Sequence, residues 1–183
     1  DCYLKGLQDP RLASYFKVAK KDGAYHGVRN GQTSRSQGTL SEAASSMNVG
    51  QASSILWMDA AETYFLLAEA KLRLNLGDKT VKEYYEEGVK TSFSSKGASG
   101  AESYLDNDVN VPSTSFIDPT NGRNTDVSRM VSTLTVKWDE SASPDKKLER
   151  IMVQKWIALF PDGQEAWSEM RRTGYPGIVT INT

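Results

Sequence analysis

"SSILWMDAAETYFLLAEAKLRLNLGD" (residues 53–78) is the stretch of sequence that decides the fold. Its apolar residues recur at the i, i+3, i+4 spacing of an amphipathic helix. The first stripe consists of Ala61, Tyr64, Phe65, Ala68 and Leu72, and the second of Leu67, Ala70 and Leu74. Two stripes predict a helix that is buried on two sides. Gly77 and Asp78 then end this helix and begin the next one.

"KTVKEYYEEGVKTSF" (residues 79–93) predicts a second helix, with apolar residues on one face and Glu and Lys on the other. Two helices joined by a tight turn are typical of a tetratricopeptide-type repeat. The repeat pattern is matched by Tyr64, Leu67, Ala68, Val81 and Tyr85, and the small residues at the helix crossing are Ala68 and Gly88. Lys71 stands where an aromatic residue is usual, so the repeat is degenerate. One repeat cannot bury both faces, and we therefore expect further helices around it.

The C-terminal region predicts a second helix pair. "PDKKLERIMVQKWIALF" (residues 144–160) keeps helical spacing until Pro161, and Asp162 with Glu165 then forms a capping-box-like start for a last helix that ends at Gly174. The aromatic and sulfur-bearing residues of the pair predict a packing seam: Trp156, Phe160, Trp167 and Met170. Glu165, Glu169 and Arg172 are helix neighbours, so we expect these charges to satisfy one another rather than to form an anion site.

The remaining segments are poor in regular patterns. Residues 1–55 are loop-rich and residues 96–143 form an irregular excursion, so the chain divides into these two segments, the helix pair at 56–95 and the C-terminal helix pair at 144–183. Within the excursion, "MVSTLTVKW" (residues 130–138) alternates as one short strand does. The predicted fold class is mostly α, with tetratricopeptide-like helix pairs and long irregular excursions.

Composition excludes several classes of protein. The net charge is −1, from 22 basic and 23 acidic residues spread along the chain, which gives no basic stripe for nucleic acid. Cys2 is the only cysteine, so an intrachain disulfide and a cysteine-based zinc site are impossible. No apolar run reaches the roughly 20 residues that span a bilayer. Because "DCYLKGLQDPRL" is polar, we do not interpret Cys2 as a lipid-anchor cysteine.

A search for catalytic chemistry finds no signature. His26 is the only histidine and is interpreted as a surface loop residue. Asp106, Asp108 and Asn110 resemble half of a calcium loop, but Val111 occupies the glycine position, and we favour an ordinary acidic turn. We therefore predict no catalytic residue, no metal and no cofactor, although a convergent pair of carboxylates for glycoside hydrolysis stays open.

Residues 148–176, "LERIMVQKWIALFPDGQEAWSEMRRTGYP", resemble the C-terminal signature of the SusD/RagB family, the surface glycan-binding lipoproteins of Bacteroidetes. Residues 58–77 with the following Tyr-Tyr-x-x-Gly-Val helix resemble the repeat helices before that signature. "LQDPRLASYF" (residues 7–16) and "GAYHGVRNG" (residues 23–31) resemble the segment before those helices. The resemblance covers nearly the whole chain in the order of the family.

The resemblance implies a SusD-like superhelix of helix pairs and a function without catalysis. Members of the family lie on the outer-membrane surface, cap a TonB-dependent transporter of the SusC type and present an oligosaccharide or other nutrient to it. They are longer than this sequence, so we expect this chain to be the C-terminal part, with the N-terminal remainder of the same protein as a partner and the lipid anchor and signal peptide upstream. Helix faces that meet the remainder would then be bare, and we expect the isolated fragment to aggregate or to retain that partner.

The family motifs carry no sugar-binding residues onto this sequence. A flat sugar face stacks on an exposed aromatic ring with polar neighbours for its hydroxyl groups. Tyr104, beside Asp106 and Asn107, and Trp138, beside Asp139, are the candidate ligand-binding residues, and each could instead be a core anchor. Trp57 is a weaker candidate. Two alternative functions stay open, namely a helical-repeat scaffold that binds only protein and a glycoside hydrolase domain.

Overall fold

The structure, a computed structural model, describes residues 1–29, 36–54 and 56–179. Within these residues the helices are α1 (Cys2–Gly6), α2 (Arg11–Tyr15), α3 (Gln37–Ala43), α4 (Ala60–Leu74), α5 (Val81–Ser95), α6 (Ala101–Leu105), α7 (Pro144–Ala158) and α8 (Gly163–Thr173). The strands are β1 (Phe16–Lys17), β2 (Ser46–Met47), β3 (Ser115–Ile117) and β4 (Asn124–Asp126), which form the antiparallel pairs β1–β2 and β3–β4. The prediction of a mostly α fold is confirmed. No helix in the described part of the chain is long and apolar enough to cross a membrane.

The predicted pair α4–α5 lies at the centre of the molecule. The Asp59 side chain caps α4 by accepting from the Ala61 N–H at 3.0 Å, and Asn75 ends the helix in the left-handed conformation. Thr80 and Glu83 form a reciprocal capping box at the start of α5, a signal that the sequence carries and our prediction omitted. α4 packs against both α5 and α7, so the expected further helix covers its second side.

The two apolar stripes of α4 differ in how deeply they are buried. Ala61, Phe65 and Ala68 of the first stripe are completely buried, as predicted. The prediction for the second stripe is wrong at its end, because Leu74 is 67% exposed while Leu67 is only partly buried against the core. The last turn of α4 extends beyond the helices that pack against it, so periodicity alone overestimates its burial.

Gly88 of α5 is required by the close crossing of α4 and α5. A Cβ atom built at Gly88 would lie 2.8 Å from Cε1 of Phe65, a ring that is itself completely buried. We expect Gly88→Ala to lower the free energy of unfolding by about 1–2 kcal/mol, because overpacking outweighs the gain of up to about 1 kcal/mol in helix propensity. Urea unfolding measures this difference.

Gly163→Ala is the matched control, since a Cβ atom at this helical glycine meets nothing within 4 Å. We expect this variant to be neutral or slightly stabilising. A Gly88→Ala protein as stable as its Gly163→Ala counterpart would contradict the proposed steric conflict, whereas relief of the cost by Phe65→Leu would support it.

The C-terminal helices begin and end where the sequence predicts. Pro144 follows the Ser143 cap of α7, and the Asp162 carboxylate accepts from the Glu165 N–H at 3.0 Å to cap α8. Gly174 ends α8 with a φ of 78°, a conformation that favours glycine. α7 is the most deeply buried helix, and Ile151, Met152 and Ile157 lie in the same core cluster as Phe65 and Tyr85.

The segment predicted as loop-rich contains three short helices, α1 to α3, and the pair β1–β2. Its main anchor is Arg11, which is completely buried although it follows a turn. The guanidinium donates to both carboxylate oxygens of Asp9 (3.0 and 2.6 Å), to Ser92 Oγ (2.9 Å) and to Gln154 Oε1 (2.7 Å). Arg11 therefore ties α2 to α5 and α7 through one set of hydrogen bonds.

The predicted strand at residues 130–138 is wrong. Within the described part of the chain this segment has no partner strand. Tyr85 Oη donates to the Val136 carbonyl at 2.6 Å, and Arg150 Nε donates to the Thr135 carbonyl at 3.1 Å. Val131 and Val136 point into the core while Thr133 and Lys137 are exposed. The segment bends at Val131 and again at Val136 and Lys137, so the alternation of its sequence does not correspond to a strand.

Candidate functional site

An open groove of about 610 Å³ lies between the N-terminal helices and the pair α7–α8. One wall is formed by α1, α2 and β1, and the other by the end of α7, the 160–162 turn and α8. Aromatic rings dominate both walls. Tyr15 and Phe160 have ring centroids 4.6 Å apart, and Phe16 and Phe160 are separated by 5.0 Å.

The hydroxyl groups in the groove walls are already hydrogen-bonded. Tyr3 Oη donates to the Gly177 carbonyl at 2.6 Å and accepts from the Ser132 N–H at 3.1 Å, while Tyr15 Oη donates to the Ile157 carbonyl at 3.0 Å. Burial raises the pKa of Tyr3 and of Tyr15 to about 12, so both phenols are neutral at physiological pH. The groove walls are consequently apolar surfaces with their polar atoms engaged.

The two carboxylates that line the groove also have partners. Asp1 is paired with Lys5 at 3.2 Å and accepts from the Gly27 N–H at 3.1 Å. Asp162 caps α8. Among the described residues that line the groove, Asp1 and Asp162 are the two acidic side chains, and each is engaged within the chain.

The predicted packing seam of the C-terminal pair forms the groove itself. Trp156, Phe160, Trp167 and Met170 lie together, but around open space rather than in close contact, and Trp167 is 50% exposed. The Arg171 guanidinium lies 5.9 Å from the Trp167 ring centroid at the mouth. Sequence spacing grouped these residues correctly, but it did not show that they line a groove.

A buried cluster of charges joins α4, α7 and α8. Lys155 is 1% exposed, and its ammonium lies 2.9 Å from Glu169 Oε2 and 3.2 Å from Glu62 Oε1. Arg172, then Lys155, holds the pKa of Glu169 at about 2 despite partial burial. Burial and the neighbouring Glu62 raise the pKa of Glu165.

Arg172 connects this cluster to α4. Its guanidinium donates to Glu169 of its own helix and also to the Glu69 carboxylate, with 2.8 Å between Nη1 and Oε1. Glu69, then Glu169, raises the pKa of Arg172 above its ordinary value. The prediction that these charges satisfy one another is confirmed for Glu169 and Arg172, and the structure adds partners from α4 and α7. The cluster is a structural clamp, because Lys155 and Arg172 each contact carboxylates of both α4 and α8.

Tyr104, a predicted ligand-binding residue, lies in the core with 4% of its surface exposed. Its hydroxyl accepts from Gln154 Nε2 at 3.0 Å, and its ring packs 5.3 Å from Phe93 and 5.4 Å from the Arg11 guanidinium. These contacts are those of a core anchor, the alternative that the sequence left open. Its ligand role stays a prediction.

Trp138, the second predicted ligand-binding residue, is 9% exposed. Its indole Nε1 donates to Glu140 Oε2 at 2.6 Å, and its ring lies 5.2 Å from Tyr85 and 5.9 Å from the Lys147 ammonium. Both faces of the indole are therefore largely covered. The structure does not bring Trp138 and Tyr104 to a common surface, and the ligand role of Trp138 also stays a prediction.

Trp57, the weakest sequence candidate, is the most exposed of these aromatic rings at 88%. It stands between Leu56 and Met58, which are also exposed, immediately before α4. A small hollow of about 20 Å³ beside it is lined by polar residues, Asp59, Glu62, Lys96 and Asp162, and by apolar residues that include Leu159 and Pro161. The sequence made Trp57 the weakest ligand-binding candidate because it lies at the start of a helix. Its exposure depends on the path of the residues before it, which the sequence pattern does not give.

The other sequence candidates for chemistry have ordinary surroundings. His26 is partly buried, and its Nε2 lies 2.9 Å from Asp22 Oδ2 in a surface loop. The acidic turn is organised by Asn107 Oδ1, which accepts from the Val109 and Asn110 N–H groups, while Asp108 pairs with Lys137 at 3.3 Å. Within residues 1–29, 36–54 and 56–179, no group of three or more His, Cys, Asp or Glu residues could hold a metal ion.

Comparison with known proteins shows the family to which this chain belongs. The family model described as SusD-like, "Susd and RagB outer membrane lipoprotein", matches residues 1–183. A SusD homolog from Bacteroides thetaiotaomicron VPI-5482 is 41% identical with a TM-score of 0.90, over 99% of this chain and 38% of that chain. No curated protein matches the chain. The chain belongs to the SusD-like family.

Two further solved structures are similar to nearly the same extent. A chitin-binding SusD homolog from Flavobacterium johnsoniae is 40% identical with a TM-score of 0.88, over 98% of this chain and 37% of that chain. A SusD homolog from Bacteroides uniformis ATCC 8492 is 39% identical with a TM-score of 0.88, over 100% of this chain and 37% of that chain. The chain therefore spans 37–38% of the length of these relatives.

Proposed function

We propose that this chain is part of a non-enzymatic, outer-membrane surface lipoprotein that binds an oligosaccharide or a related nutrient and delivers it to a TonB-dependent transporter of the SusC type. The observation that carries the proposal is the SusD-like family match over residues 1–183. A relative at 40% identity binds chitin, which supports a glycan as the ligand class. Binding requires only stacking and hydrogen bonding, so no bond in the sugar is broken.

The full-length protein tests this proposal. Isothermal titration against a panel of plant, host and dietary glycans is expected to identify at least one ligand, and incubation with labelled oligosaccharides is expected to give no cleavage products. Turnover that a single Asp or Glu substitution abolishes would overturn the proposal in favour of a hydrolase. Stable co-purification with the transporter without binding of any glycan would instead support a scaffold.

We further propose the exposed Trp57 ring as the sugar-contacting part of this chain. An exposed indole offers the flat apolar face on which a pyranose ring stacks. The neighbouring Glu62 and Lys96 side chains are already paired with Lys155 and Asp59, so the proposal rests on the indole face alone. The buried positions of Tyr104 and Trp138 make them weaker candidates for the same role.

Trp57→Ala is expected to weaken glycan binding by roughly 3- to 10-fold, the value of one aromatic stacking contact, whereas Trp57→Phe retains most of the affinity. Titration of the full-length protein with the glycan identified above measures the change. Leu76→Ala, at another exposed apolar residue, is the control and should bind normally. Equal affinity of the Trp57→Ala and Leu76→Ala proteins would place the sugar elsewhere. Tyr104→Phe, which removes only a hydroxyl group, tests the earlier candidate in the same series.

A further inference from the structure

The exposed Trp57 ring is flanked by two further apolar side chains. Met58 is 82% exposed and Leu56 is 47% exposed, and all three residues line the same small hollow in front of α4. Residues 43–58 contain no charged side chain. Leu56, Trp57 and Met58 therefore form an apolar platform, which favours a ligand with apolar surface of its own beside the stacking ring.

The charged side chains beside the platform are already engaged. The Lys96 ammonium lies 3.2 Å from Asp59 Oδ2, and these two side chains are only 11% and 7% exposed. Glu62 is paired with Lys155, and Asp162 caps α8. A uronic acid or an amino sugar would lose water from its charge without gaining a free partner among the described residues that line the hollow. The surroundings consequently favour a neutral sugar.

The backbone of the platform offers polar groups instead. Among the described residues, no hydrogen bond engages the N–H or C=O group of Trp57 or Met58. Because both residues are exposed, a ligand can reach these groups. A secondary amide carries one N–H donor and one C=O acceptor, so it can pair with a peptide segment of this kind as another backbone segment does.

We propose that the platform recognises a 2-acetamido sugar, with the pyranose ring on Trp57, the acetamido methyl group against Met58 and the acetamido amide hydrogen-bonded to the backbone of residues 57–58. The acetamido group places a methyl group and a neutral amide beside one ring, which is the combination that the platform can bind. Such recognition rests on the proposed glycan-binding function and on the Trp57 contact, and it specifies the class of sugar.

Hexasaccharides that differ only at C2 test the proposal in the full-length protein. Chitohexaose carries an acetamido group at C2, its N-formyl counterpart keeps the amide but lacks the methyl group, and cellohexaose has a hydroxyl group. Isothermal titration is expected to show roughly tenfold tighter binding of chitohexaose than of cellohexaose, about fourfold of it from the methyl group and the rest from the amide. The N-formyl hexasaccharide should have an intermediate affinity.

Met58→Ala isolates the contact with the methyl group. This variant is expected to bind chitohexaose about three- to fourfold more weakly, with the affinity of the N-formyl hexasaccharide, and to bind cellohexaose unchanged. Met47→Ala, the same change at another exposed methionine, is the control and should bind all three sugars normally. Trp57→Ala should weaken all three alike, because the stacked ring is common to them.

Equal affinities for chitohexaose and cellohexaose would overturn the proposal and leave the proposed glycan binding intact. A glycan without acetamido groups that binds through Trp57 more tightly than chitohexaose would have the same meaning. Chitohexaose binding that Trp57→Ala does not change would also overturn it, since the sugar would then lie elsewhere. Failure of every glycan to bind would overturn both proposals together.

Discussion

Replacing Arg11 by methionine is expected to lower the free energy of unfolding by about 3–5 kcal/mol, because it leaves the Asp9 carboxylate buried without its partner. Asp9 is 3% exposed and Arg11 is completely buried, so water cannot compensate for the loss. Burial lowers the pKa of the Arg11 guanidinium, but the Asp9 carboxylate together with Tyr104 and Tyr15 raises it above its ordinary value. Urea unfolding of the full-length protein at pH 7 measures the effect.

Arg11→Lys is expected to recover little of this stability. Lysine carries one compact ammonium, which cannot repeat the bidentate contact with Asp9 while also reaching Ser92 and Gln154. It also loses the stacked guanidinium, which lies 4.8 Å from the Phe93 ring centroid.

Two further variants make the Arg11 prediction falsifiable. Arg123→Lys, the same change at an exposed hairpin residue, is expected to be neutral within about 0.5 kcal/mol. The double variant Asp9→Asn/Arg11→Met should cost less than the sum of its single changes, since it removes both charges. An Arg11→Lys protein that unfolds within about 1 kcal/mol of the parent would show that the hydrogen-bonded set is dispensable.

The second large effect is expected from Lys155→Met. This change leaves Glu62 and Glu169 facing each other across the position of the lost ammonium, beside Glu165, and should cost about 3 kcal/mol at pH 7. Lys147→Met is the control on the same helix. Lys147 pairs at 3.0 Å with a Glu140 side chain that is 78% exposed, so its loss should cost no more than about 1 kcal/mol.

The pH dependence of the free energy of unfolding distinguishes a charge contribution of Lys155 from a packing contribution. The pKa of Glu169 is about 2 in the folded protein and 4.5 in the reference state, so this carboxylate stabilises the fold above about pH 4.5, and the contribution is lost as the pH falls toward 2. Without Lys155, the pKa of Glu169 in the folded protein rises. We therefore expect the difference between parent and Lys155→Met to shrink from about pH 5 to about pH 3. A constant difference across that range would indicate that Lys155 contributes through packing alone.

Helices α4, α5, α7 and α8 were predictable because their signals are local. Apolar periodicity, the N-terminal cap Asp162 and the C-terminal glycine Gly174 each act within one or two helical turns. The structure shows each of these features at the position that the sequence indicates. The identity of Gly88 as a crossing residue also followed from the repeat pattern. The resemblance of residues 148–176 to the SusD/RagB signature supplied the family, which periodicity could not.

Apart from the local Thr80–Glu83 capping box, the main interactions that were not predicted join distant residues. Arg11 contacts Ser92 and Gln154, which lie 81 and 143 residues away, and nothing in "LQDPRL" indicates that its arginine is buried. The exposure of Trp57 and the burial of Tyr104 likewise depend on neighbours that only the folded chain brings together. Composition of the adjacent residues, on which the candidate sugar contacts were based, carries no information about burial.

The Tyr3 hydroxyl, which bonds the backbone at Ser132 and Gly177, has a consequence for synthesis of the protein. Its two partners lie 129 and 174 residues away along the chain. At a translation rate of about 5–20 residues per second, α1 waits roughly ten to thirty seconds before residue 177 has been made. The contacts of α1 with residues 132 and 177 are therefore among the last that the chain can form in the order of synthesis.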